Sequence, residues 1–248
     1  VQDVVHSEHL DSDHWWFRAR RRIFDRVLDE RLPGGRAARI LDLGPGSGVN
    51  LPVLGRRGRV TALDLSEVSL ARCKRAGTPD CVLADATQPP FKPHSFDLVC
   101  ALDVLEHIDD DRAALASIER MLAPGGLFLF SVPAFPFLWG RQDVLSHHKR
   151  RYTKAQLAER VTAAGLSIEH LTYFNTLLFP PIAVVRLLMR PLLARSVQKG
   201  GSDLSVKLPL GLDGLLYHSF ACERGWVTRH RLPFGVSMLG WARRAGGA

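Results

Sequence analysis

The 248-residue sequence predicts a doubly wound α/β domain around a mostly parallel sheet, and three observations carry that reading. Short apolar runs alternate with amphipathic stretches between residues 37 and 134. Most of those runs are apolar without interruption, as strands buried on both faces must be. A glycine-rich turn follows the first run directly.

The runs in order are Ala38 to Leu43, Val60 to Leu65, Cys81 to Asp85, Phe96 to Leu102 and Leu127 to Val132. Between them, Ser66 is placed to cap a helix with Leu70 and Cys73 on one face. Asp109 to Asp111 open a second helix, with Leu115, Ile118 and Leu122 at helical spacing and Pro124-Gly125-Gly126 as its stop. A third starts at Thr153, where Gln156 completes a capping box, buries Leu157 and Val161, and ends at Gly165. A strand over Leu166 to Phe174 follows, and the last strand is Gly235 to Ala242.

Two regions stand outside the alternation. Residues 1–36 form an N-terminal helical cap with Ile23, Phe24, Val27 and Leu28 on its apolar face. Residues 37–175 are the core, residues 176–233 a helical insertion, and residues 234–248 return to the core. The insertion holds apolar stretches at Leu177 to Leu193 and Leu208 to Phe220, with a mobile loop expected around Gly200-Gly201-Ser202. Pro180, Pro181, Arg186, Arg190 and Pro191 break the first stretch too often for a membrane span. It suits the wall of an apolar pocket or a peripheral membrane contact.

The four cysteines, Cys73, Cys81, Cys100 and Cys222, are scattered without CxxC spacing. With no secretory signal in the charged, aromatic start, they read as reduced thiols of a cytoplasmic protein. The net charge of +8 is concentrated in Arg18, Arg20, Arg21 and Arg22 and in Lys149, Arg150 and Arg151. Such clusters suit nucleic acid, an anionic membrane surface or a phosphorylated substrate, or else a solvated face. Oligomeric state leaves no mark in the sequence.

The chemistry concentrates in Asp42-Leu43-Gly44-Pro45-Gly46-Ser47-Gly48. Glycines after a buried strand let backbone approach a ligand, and the following helix start offers N–H groups. A dinucleotide fingerprint needs glycine where Val49 stands, so the ligand carries no pyrophosphate. Asp64 and Asp85 end the next two strands. Any one of these carboxylates could be a helix cap, but three at successive strand ends point to one nucleoside-like ligand.

With these segments in view, residues 38–134 resemble the class I S-adenosylmethionine (SAM)-dependent methyltransferases, in particular the group with a ubiquinone/menaquinone-methyltransferase-like core (methyltransferase type 11). The resemblance rests on Ile40 to Gly48, Ala62 to Ser66, Ala84-Asp85-Ala86, Phe96 to His107 and Leu122 to Gly126. It implies a Rossmann-like seven-stranded sheet with an antiparallel last strand. It also implies that SAM is the cofactor, with Gly44, Gly46 and Gly48 along its methionine part, Asp64 on the ribose, and Asp85 with the Ala86 backbone on the adenine. Asp42, Pro45, Leu65 and Leu102 complete the expected cofactor site, with Arg20 (or Arg18) meeting the cofactor carboxylate. The outer segments His14 to Arg21 and His148 to Thr153 resemble a narrower group of bacterial methyltransferases and name no substrate.

On the acceptor side, Leu102-Asp103-Val104-Leu105-Glu106-His107 lacks the Asn/Asp-Pro-Pro-Tyr/Phe element that grips a flipped base, which argues against a nucleic-acid acceptor. No carboxylate cluster with an open metal position stands out, so no metal is expected. Methyl transfer to oxygen needs a base near neutral pH, and His148 and His107 are the candidates. Arg151 and Tyr152, following His148, suit an anionic or oxygen-rich acceptor, and Trp16, Tyr173 and Asn175 join them as substrate-binding candidates. Trp15, Trp16 and Phe17 suit a lid over the cofactor or plain packing on the sheet edge. The expected activity is methylation of a small or lipid-like metabolite, most readily at oxygen. The alternatives are C- or N-methylation of an apolar metabolite, or SAM binding without net methyl transfer.

Overall fold

The apolar stripe of the N-terminal segment becomes helix α1 (Trp15–Arg31), whose first turn is capped by His14 accepting from the Trp16 N–H. Ile23, Phe24, Val27 and Leu28 are buried, each contributing roughly 1.5–3 kcal/mol against the sheet. The computed structural model describes residues 14–32, 37–78, 80–188 and 211–244. The start of the expected cap, Met189 to Leu193 of the apolar stretch and the Gly200-Gly201-Ser202 loop lie outside the described residues.

Strands β1 (Ala38–Leu43), β2 (Gly58–Asp64), β3 (Asp80–Leu83), β4 (Phe96–Leu102), β5 (Leu122–Pro133), β6 (Leu166–Phe174) and β7 (Ser237–Arg244) form one seven-stranded sheet. Its order is β3-β2-β1-β4-β5-β7-β6. The first five strands pair in parallel, whereas β7 runs antiparallel to both β5 and β6. The predicted antiparallel last strand is therefore present, wedged between two earlier strands.

Helices cover both faces. Along each strand neighbouring residues go to opposite cores: Ile40 and Leu98 to one, Leu41 and Val99 to the other. The first core takes α1, α2 (Leu51–Gly55), α3 (Glu67–Arg75) and, beyond α7 (Phe179–Leu188), the helix α8 (Leu212–Ala221). The second takes α4 (Asp111–Met121) and α6 (Lys154–Ala163). Two short helices, α5 (Arg141–Leu145) and α9 (Arg224–Val227), sit in the connections. The capping signals hold: Ser66 accepts from Ser69, Asp110 from Ala113, and Thr153 exchanges bonds with Gln156.

Several boundaries move. Helix α4 ends at Met121, and Leu122 is already extended and paired with Phe96, so the Pro124-Gly125-Gly126 turn lies inside β5. Strand β3 ends at Leu83, leaving Asp85 beyond it in a turn. The last strand starts at Ser237, where the ladder with Pro133 and Phe174 begins. The glycine turn is followed by a single five-residue helix.

In an open sheet of this winding, ligands bind outside the carboxyl ends of the strands where the order reverses. Here β1 and β4 are neighbours at that point.

Candidate active site at the carboxyl edge of the sheet

Three glycines shape the turn after β1. Gly44, Gly46 and Gly48 have φ of +59°, +56° and +78°, a region L side chains rarely occupy. A Cβ on Gly44 would come within 2.8 Å of Val104, so this backbone is packed against the loop after β4. Nothing lies within 4 Å of the corresponding point on Gly46, which leaves the turn open to a ligand.

Behind the turn, Asp42 is buried and its Oδ2 has no hydrogen-bond partner. Burial, reinforced by Asp64, pushes its carboxyl up to about 7. Asp64 is half-buried at the end of β2, and its Oδ1 accepts from the Ser66 N–H at 2.8 Å. Desolvation raises its carboxyl, while hydrogen bonds from the Ser66, Gly46 and Leu65 amides oppose the rise. Leu65 beside it is 69% exposed. Asp85 accepts from the Thr87 N–H and hydroxyl through Oδ1, and Ala86 is buried behind it. Pro45 lies two residues past the end of β1, and Leu102 is the last residue of β4. The expected cofactor residues thus line one edge.

Arg20 reaches the same edge from α1. Its guanidinium is buried, ion-paired with Asp103 and bonded to Ser131 Oγ at 2.9 Å. Asp103, in turn, accepts from Ser131 Oγ at 3.0 Å. Burial raises its carboxyl, but the Arg20 charge and the Arg20 and Ser131 hydrogen bonds outweigh this and lower it. The cation expected to meet a cofactor carboxylate already has a protein carboxylate.

The histidines expected to act on the acceptor come together. The His107 and His148 rings lie 4.8 Å apart, edge to face. His148 Nδ1 is 2.8 Å from Asp143 Oδ1, and its Nε2 is 4.0 Å from Glu106 Oε1. Asp143 also accepts from Arg151 Nε at 2.7 Å and the Gly140 N–H at 2.8 Å. Burial pushes the Asp143 carboxyl up, but His148, Arg151 and the Gly140 amide together hold it down at about 2. Glu106 is fully buried and neither of its oxygens has a hydrogen-bond partner. Burial and the Asp103 charge push its carboxyl well above the usual range.

Arg151 and Tyr152 do not meet the expectation that their polar ends face the acceptor. Arg151 is buried and bonded to Asp143 and the Ala134 carbonyl. The Tyr152 hydroxyl is bonded to Asp111 at 2.6 Å, and burial with that bond pushes it above the ordinary phenol range. Both are internal braces because the chain carries them under β5 in the bridge between Ala134 and Tyr152. Tyr173 is buried and stacked on Phe135 at 4.9 Å. Asn175, at φ +58°, is fully buried with both side-chain polar atoms lacking a hydrogen-bond partner. Trp16 packs at 5.2 Å on Phe220 of α8.

Asp103, Glu106 and Asp143 escaped the sequence reading. Two carboxylates, Asp103 and Glu106, interspersed with the apolar Leu102, Val104 and Leu105 were a usable signal. Asp143 gives none, since its role depends on a turn that brings His148 back to it.

Comparison with known proteins agrees with this geometry. A family described as "Methyltransferase domain" matches residues 41–130. A Mycolicibacterium smegmatis protein described as a probable SAM-dependent methyltransferase is 30% identical over 164 residues, 64% of this chain and 62% of the relative. The ubiquinone biosynthesis O-methyltransferase of Paracidovorax citrulli is 34% identical over 38% of this chain and 42% of its own length. Residues 41–130 thus carry a methyltransferase domain, similar to that of SAM-dependent methyltransferases. The matches span under two thirds of these relatives, so they establish the cofactor-binding core rather than the acceptor side. Among solved structures, a SAM-dependent methyltransferase from Mesorhizobium loti superposes with a TM-score of 0.57 at 22% identity, over 88% of this chain and 96% of that one. The (4+2)-cyclase SpnF superposes with 0.61 at 20% identity, over 96% and 86%. Both likenesses speak to the fold alone. Among the described residues no helix is long and apolar enough to cross a membrane.

Proposed function

We propose that this methyltransferase transfers the SAM methyl group to an oxygen of a small or lipid-like acceptor, with a histidine of the His107–His148 pair as base. The observation that carries the reading is the His148–Asp143 contact beside the carboxyl end of β4. Asp143 is held ionised, so it only accepts, and the His148 proton belongs on Nδ1. Nε2 then keeps its lone pair on the side of Glu106 and His107.

The cofactor side fits SAM. The open backbone at Gly46 would take the methionine part, Asp64 the ribose hydroxyls, and Asp85 with Ala86 the adenine. Asp42, with an unpartnered buried oxygen, stands behind the turn as a hydrogen-bond acceptor, and Leu65 offers an exposed apolar face. When bound, SAM supplies a methyl group already attached to a good leaving group. The protein's tasks are to align the acceptor, exclude water and take the acceptor proton.

O-methyltransferases among the relatives support an oxygen acceptor: besides the ubiquinone enzyme, a malonyl-(acyl-carrier protein) O-methyltransferase of Halorhodospira halophila is 38% identical over 45% of this chain. The test is to incubate the protein with methyl-labelled SAM and cell extract and identify the labelled product by mass spectrometry. Label on oxygen with release of S-adenosylhomocysteine is expected. Label on carbon or nitrogen, or cofactor binding without turnover under any extract, sinks this reading.

A further inference from the structure

Glu106 poses a problem that the acceptor chemistry leaves unsolved. A fully enclosed carboxylate with no hydrogen-bond partner is costly unless a positive group reaches it. Arg20 is committed to Asp103, and Arg151 to Asp143. What faces Glu106 instead is a pair of imidazoles: one carboxylate oxygen of Glu106 and one ring nitrogen each of His107 and His148 all lie within 4.8 Å of one another.

We infer that Glu106, His107 and His148 form a binding site for one divalent transition-metal cation. Two imidazoles and one carboxylate are a borderline nitrogen–oxygen set, suited to zinc, cobalt, manganese or ferrous iron. Calcium and magnesium prefer oxygen ligands throughout. Three protein ligands leave a coordination position for a water or an acceptor oxygen. The outer contacts have the form such sites need. His148 turns its Nδ1 to Asp143, which fixes the ring and directs Nε2 inward, and Arg151 fixes Asp143 in turn. Ligand atoms around a tetrahedral ion sit roughly 3.4 Å apart, so about an ångström of side-chain adjustment closes the observed spacing. The cation would supply the positive charge that Glu106 lacks.

The Nε2 lone pair serves one partner at a time. It is a base in the metal-free protein and a ligand in the loaded one, where the open position is left for the acceptor. That role for the cation rests on the acceptor reading above; cation binding itself does not.

The experiment is titration of the chelator-stripped full chain with zinc chloride and with manganese chloride, by calorimetry and against a chromophoric chelator. One equivalent of at least one of these metals is expected to bind. Glu106→Gln, which preserves shape, and His107→Ala should each weaken it at least tenfold. Asp109→Asn, at an exposed position, should leave it unchanged. Absence of stoichiometric binding of both metals, or unchanged affinity in Glu106→Gln and His107→Ala, overturns the site. Should either variant fail to fold, the cobalt-loaded native chain decides. Visible bands of nitrogen–oxygen coordination support the site, and thiolate charge-transfer bands from the cysteines refute it. The titration contains neither SAM nor acceptor, so its failure leaves methyl transfer standing, and failure of methyl transfer leaves the cation site standing.

Discussion

Asp143 Oδ1 lies 2.8 Å from His148 Nδ1 and 2.7 Å from Arg151 Nε, so one buried carboxylate orients the imidazole and neutralises the arginine. Removing it leaves a buried guanidinium without its partner. Asp143→Ala is expected to lower stability by about 3–5 kcal/mol, the range for breaking one side of a buried pair. Urea denaturation of the variant measures it, and a loss below about 1 kcal/mol would show that water replaces the carboxylate.

His148→Ala should reduce turnover on the true acceptor by about a hundredfold or more while SAM affinity stays nearly unchanged. The reason is position: His148 belongs to the cluster after β4 and β5, whereas the glycine turn follows β1. Steady-state kinetics with calorimetry separate the two effects. Near-normal turnover in both His148→Ala and His107→Ala would mean that alignment alone drives the transfer.

Asp64→Ala should weaken SAM binding by about 1.5–3 kcal/mol if the ribose bonds are buried. In the protein this carboxylate also takes the Gly46 and Ser66 amides, so part of the loss comes from a loosened glycine turn. Asp64→Asn, able to accept some of the same bonds, should fall between. Calorimetry that finds both variants at wild-type affinity would remove Asp64 from the site.

Tyr152→Phe is expected to cost stability without touching chemistry. The hydroxyl is bonded to Asp111, which keeps ion pairs to Arg150 and Arg160, so losing one bond should cost about 1–2 kcal/mol. Turnover at a temperature well below unfolding should match wild type. A large fall in turnover with stability intact would restore Tyr152 to the acceptor site.

Asp42 gives the stability a pH dependence with a definite sign. Its folded-state value of about 7 lies above the unfolded value of about 3.9. The folded state therefore binds the proton more tightly, and this group's contribution favours folding at low pH. It is lost progressively as pH rises from about 4 to about 7 and changes no further above that. Glu106 and Glu223, also raised by burial, act in the same direction, so only a variant isolates Asp42. The stability advantage of Asp42→Asn over wild type, without SAM, should grow between pH 5 and pH 8. A difference that stays flat across that interval in thermal melts would place the Asp42 titration elsewhere.

The expected sheet follows from local signals. Continuous apolar runs mark strands buried on both faces, and the residues flanking them mark caps and turns, as Ser66 and the Thr153–Gln156 box illustrate. The glycine turn and Asp64 were legible from residue type and place, since glycines supply the positive φ and an acid at a strand end accepts from the Ser66 amide two residues on.

The histidine cluster proposed to meet the acceptor was assembled by the tertiary structure. His107 follows β4, while His148 and Asp143 arrive after β5, and only the parallel pairing of β4 with β5 brings them together. Arg151 and Tyr152 have the residue types of a binding site, yet the Ala134–Tyr152 bridge turns them inward onto Asp143 and Asp111. Residue types determine which groups a chain can offer; the direction in which a side chain points, and whether its charge is answered, depends on strands distant in sequence. Glu106 shows the limit, since its missing partner becomes visible only once the chain has closed around it.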